Sequence, residues 1–84
     1  MRISARSDYA VRAVIEIAAA APKLVKADQI AEAQHIPIKF LENILADLRR
    51  AGIVRSKRGA EGGYVLGYDS KDLSVAHVMR SVEG

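Results

Sequence analysis

A chain of 84 residues, 50% apolar and 27% charged, has room for one domain with a modest core and is too apolar to be a disordered tail. It contains no cysteine, which excludes disulfides, thiolate zinc sites, cysteine nucleophiles and cysteine-ligated iron-sulfur clusters within these residues. The net charge of +3 is small but unevenly placed.

Residues 1–48 balance six basic against six acidic side chains, and residues 59–84 carry two basic and four acidic ones. Residues 49–58 hold Arg49, Arg50, Arg55, Lys57 and Arg58 with no acid among them. A polyanion gains salt-dependent affinity from such a patch, because each phosphate it neutralises releases counterions; otherwise the patch is a solvated face. No apolar run approaches the roughly 20 residues of a membrane span, and the N-terminus lacks a signal-peptide layout, so the chain reads as cytoplasmic with no membrane partner. His35 and His77, 42 positions apart with no carboxylate pattern around them, read as structural and not as metal ligands.

Ser4 to Ala21 predicts the first helix. Val11, Val14, Ile15 and Ala18 follow the i, i+3, i+4, i+7 spacing of a buried stripe. A second set, Ala10, Ala13, Ile17 and Ala21, widens the apolar surface, so that part of this helix is expected to face another chain or a further segment; the simpler reading is a central core helix. Pro22 ends this helix. Lys26 to Gln34 predicts a second helix, with Asp28 in the first turn and Lys26 where an oxygen-bearing cap would serve better. His35 and Ile36 form a turn, and Pro37 opens a third helix as a first-turn residue reaching Ala51.

In that third helix Leu41, Ile44, Leu45 and Leu48 are the core set, and Lys39, Glu42, Asn43, Ala46, Asp47 and Arg50 form the opposite polar face. Two helices joined by so short a turn resemble a helix-turn-helix, whose second helix enters the major groove of DNA. Gly52 is a candidate cap. Residues 53–57 and 64–66 are β-prone, and Arg58 to Gly63 between them is dense in glycine, as a tight hairpin tip requires. A nucleotide-binding loop is excluded by the missing lysine and serine of that motif. Tyr68 to Asp72 is a connector, and Ser74 caps a last helix with Val75, Val78, Met79 and Val82 facing the core.

Ser7-Asp8-Tyr9-Ala10-Val11-Arg12, Gln29-Ile30-Ala31-Glu32, Phe40-Leu41-Glu42, Leu48 to Val54 and Arg58-Gly59-Ala60-Glu61-Gly62-Gly63-Tyr64-Val65-Leu66 together resemble the bacterial winged helix-turn-helix regulators of the IscR, NsrR and CymR family. The resemblance covers nearly the whole chain, and the RGxxGGY of the hairpin is its most specific piece. It implies an α+β, mainly α winged helix-turn-helix with three helices, a two-stranded wing and one further helix. It also implies a homodimer on palindromic double-stranded DNA, with the third helix in the major groove and the wing in the minor groove.

By motif position Lys39, Glu42, Asn43 and Arg58 correspond to base contacts. Tyr9, Arg49, Arg50, Arg55, Ser56, Lys57 and Gly59 are the expected phosphate contacts. Family members continue into a loop, where cluster-binding members carry three cysteines, and into a long dimerisation helix. The 84 residues hold neither, so no cofactor is expected within them, and an iron-sulfur cluster is expected only if further residues supply cysteines. Without that helix, a monomer or a weak dimer through the surplus face of the first helix is expected. The leading reading is a DNA-binding regulator; the alternative is a winged helix used for protein contact. No nucleophile–base pair or carboxylate pair suggests an enzyme.

Overall fold

A computed structural model describes residues 4–83. Their order is α1 (Ala5–Ala20), α2 (Ala27–Gln34), α3 (Ile38–Arg50), β1 (Val54–Lys57), β2 (Gly63–Leu66), a short 3-10 turn (Ser70–Asp72) and α4 (Val75–Glu83). The two strands pair antiparallel, with Val54 opposite Leu66 and Lys57 opposite Gly63. This is a winged helix-turn-helix, mainly helical. No helix among the described residues is long and apolar enough to cross a membrane.

Local chemistry sets the boundaries. The Ser4 hydroxyl oxygen accepts the Ser7 N–H at 3.0 Å and starts α1. Lys26 caps α2 without a side-chain acceptor, but the Gln29 amide oxygen reaches back to the Lys26 N–H at 2.9 Å, which supplies half of a capping box. His35 closes α2 in the left-handed region at φ +54°, a conformation histidine tolerates better than branched residues do. Pro37 is the N-cap of α3, one position outside the helix and not in its first turn. At the other end of α3, Gly52 takes φ +77°, its N–H donates to Arg49 O at 3.0 Å, and Ile53 N–H donates to Leu48 O at 3.0 Å. This paired glycine cap turns the chain from α3 straight into β1.

The core is built from Leu41, Ile44, Leu45 and Leu48 of α3, as their spacing predicts, with Ile17, Ile30, Ile36, Ile53, Val54, Val78 and Val82. Two expected core stripes are corrected in part. On α1 the fully buried stripe is Ser7, Ala10, Ala13 and Ile17, as a central core helix requires, and of the first set only Val14 is buried with them. Ile15 is 56% exposed, and Val11 and Ala18 are only half-buried. The physical reason is size. The small alanines let α1 sit close against α2, α3, α4 and β2. On α4 Val75 is 60% exposed, because it occupies the first turn at the rim of the core.

One pairing has no counterpart in the sequence reading. Val25 N–H donates to Tyr64 O at 3.0 Å and Tyr64 N–H donates to Val25 O at 2.7 Å, so the segment before α2 adds one bridge to the edge of the sheet.

Candidate nucleic-acid interface

Burial of the Leu41, Ile44, Leu45 and Leu48 stripe turns Lys39, Glu42, Asn43 and Arg49 to the exposed side of α3. Glu42, Ala46 and Arg49 form one wall of an open cleft of about 350 Å³. Ser56, Lys57, Arg58 and Gly59 of the wing form the other, with Lys26 and Tyr64 also lining it. The cleft therefore gathers four of the expected phosphate contacts and two of the expected base contacts. Arg55 is exposed but does not line the cleft.

The wing tip is shaped by close backbone approach. A Cβ on Gly62 would stand 2.1 Å from Lys57 O, and one on Gly63, at φ +144°, would stand 2.8 Å from Val25 O. Only hydrogen fits there. Among the described residues no ion pair engages Arg49, Arg55, Lys57 or Arg58. At the start of α3 the rings of Tyr9 and Phe40 stand nearly perpendicular with centres 5.5 Å apart, and the Arg12 guanidinium lies 4.9 Å from the Tyr9 ring centre. Arg12 also donates to Gln34 O at 2.9 Å, which fixes Tyr9 beside the helix-turn-helix.

Residues 3–84 match the Rrf2 family, described as iron-dependent transcriptional regulators. The chain belongs to the Rrf2 family. It is 48% identical over 85 residues to a predicted HTH-type transcriptional regulator of Mycobacterium tuberculosis, covering 100% of this chain and 53% of that protein. It is 37% identical over 84 residues to the HTH-type transcriptional regulator IscR of Vibrio atlanticus, covering 99% of this chain and 49% of the relative. Among solved structures, CymR, the global cysteine regulator of B. subtilis, superposes with a TM-score of 0.94 at 33% identity, covering 100% of this chain and 66% of that one. The chain spans about half the length of the curated relatives it matches.

In this Rrf2 domain one cluster escapes any reading by spacing. Arg6, on the first turn of α1, donates from Nε to Val82 O at 2.8 Å and from Nη2 to Asn43 Oδ1 at 3.0 Å, and it pairs with the Asp47 carboxylate. Arg50 pairs with the other oxygen of Asp47. The Arg6 hydrogen bond is the main cause holding the Asp47 carboxyl below its ordinary range, against desolvation and with help from Arg50. Two expected DNA contacts, Asn43 and Arg50, thus already have partners within the Rrf2 chain. Contacts spanning 37 and 41 positions have no local signature, so neither periodicity nor spacing points to Arg6.

Proposed function

We propose that this Rrf2 chain is the sequence-reading domain of a transcriptional regulator that binds double-stranded DNA, with α3 in the major groove and the wing along the minor groove. The observation that carries the reading is the cleft itself: an exposed polar face of α3 stands opposite a glycine-shaped wing whose cations have no partner among the described residues. Lys39 would donate to guanine acceptors and Glu42 would accept from the cytosine amino group, while Arg58 would enter the minor groove. Arg49, Ser56, Lys57 and the Gly59 backbone would hold phosphate, with Arg50, Arg55 and Tyr9 at the margins.

Gel shifts test this. Lys39→Ala or Arg58→Ala should each weaken binding to a selected operator by about 1–3 kcal/mol, whereas binding unchanged in both variants would remove these residues from the interface. No binding to any duplex at low salt would favour the protein-contact reading instead.

The regulator acts, on the same proposal, as a homodimer, since one helix and one wing read only a half-site. An apolar groove of about 170 Å³ between α1 and α4, lined by Val11, Ile15, Leu73 and Val75, supports a second copy as its cover. No iron-dependent step is assigned to these residues. The sequence offers no cysteine, and among the described residues no three His, Asp or Glu side chains are grouped to hold a metal ion, so the donor set does not fit an iron-sulfur cluster.

A further inference from the structure

We propose that Arg6, though outside the helix-turn-helix, sets the base preference of α3 by fixing which end of the Asn43 amide faces the DNA. The inference rests on the DNA-reading proposal and adds a residue to it.

A guanidinium has only N–H donors, so whichever Asn43 atom meets Arg6 Nη2 at 3.0 Å must be the acceptor, the amide oxygen. That settles the orientation of the amide: its nitrogen, with two N–H donors, turns away from Arg6. Arg6 itself has little freedom to release Asn43. Its Nε is held by Val82 O at the end of α4 and its Nη2 by the Asp47 carboxylate, so three acceptors from two helices fix one fork. Arg50 on the second Asp47 oxygen keeps that carboxylate in place.

The consequence is chemical. An unconstrained asparagine reads adenine by two points, its oxygen accepting from N6 and its nitrogen donating to N7. With the oxygen turned to Arg6, Asn43 presents its donors, and the major-groove edge that offers two neighbouring acceptors is guanine, with O6 and N7. Arg6 is a positioning residue that need not touch DNA to bias this choice.

The test uses the chain as it stands and selection from a randomised duplex library, followed by binding to single-base-pair variants of the selected site. Wild type should show a position whose preference disappears in Asn43→Ala and where guanine exceeds adenine roughly tenfold. Arg6→Met should move that position toward adenine while leaving the other positions and the salt slope unchanged, and Arg6→Lys, which restores a cationic donor, should keep guanine. An unaltered preference in Arg6→Met, with only a lower melting temperature, would reduce Arg6 to a structural role and overturn the proposal. Should Arg6→Met not fold, nuclear Overhauser contacts in the free wild-type chain decide: Asn43 amide protons remote from the guanidinium support the proposal, and amide protons against it overturn it. If wild type selects no sequence at all, the DNA reading fails and this inference with it. If it selects a site whose Asn43-dependent position favours adenine, this inference alone fails.

Discussion

Asp47 is the residue on which acid stability turns, because two arginines hold its carboxylate. Its folded pKa lies below the ordinary value of 3.8, so the ionised form stabilises the fold at neutral pH. That contribution is complete above the unfolded pKa and is lost as pH falls through the folded one. Thermal melts below about pH 4 should therefore fall more steeply for wild type than for Asp47→Asn, which should lose about 0.5–1 kcal/mol at neutral pH and little more in acid. On the wing, Lys57 lines the cleft and Arg55 does not. Lys57→Ala should lower the slope of log affinity against log salt by about 1, and Arg55→Ala should lower it less, as salt titration of DNA binding would show. The basic residues of the wing were readable as a charge run in the sequence. The Arg6 partnership was not, since it exists only once α1, α3 and α4 are packed.

The glycines of the hairpin region separate backbone conformation from close packing at the level of the element. Gly52 is left-handed with open space where a Cβ would stand, so Gly52→Ala should cost only the conformational strain, about 1–2 kcal/mol. Gly62→Ala would drive a methyl into the Lys57 carbonyl at 2.1 Å, and the turn must rearrange. Denaturant titration should show the first as a simple loss of stability. The second should also weaken DNA binding beyond what its stability loss explains. Leu45→Ala, in the fully buried stripe of α3, should cost about 2–5 kcal/mol. The α3 stripe was legible because its apolar residues occupy one face only. On α1 two apolar stripes overlap, and periodicity cannot choose between them. The choice is made by the bulk of the neighbours, which admit Ala10 and Ala13 where Ile15 would not fit.

For the whole molecule, α1 is the central post, touching α2, α3, α4 and β2 on its alanine side and leaving Ile15 outward. Ile15→Glu should change unfolding free energy by no more than about 0.5 kcal/mol while reducing self-association in sedimentation, and an unchanged association constant would place the copy-to-copy contact elsewhere. The element order and the hairpin were legible because glycine, proline and β-branched residues punctuate the chain. The bridge between Val25 and Tyr64 was not, since a one-residue pairing leaves no pattern. It holds β2 near the hairpin turn, while the glycine cap between α3 and β1 holds the base of the wing. These contacts set the spacing between α3 and the wing, which face each other like the jaws of a gauge. A gauge of fixed opening measures the object placed in it: on the proposed function, the duplex must adapt, and base pairs touched by neither jaw affect binding through how readily they let the grooves meet that span.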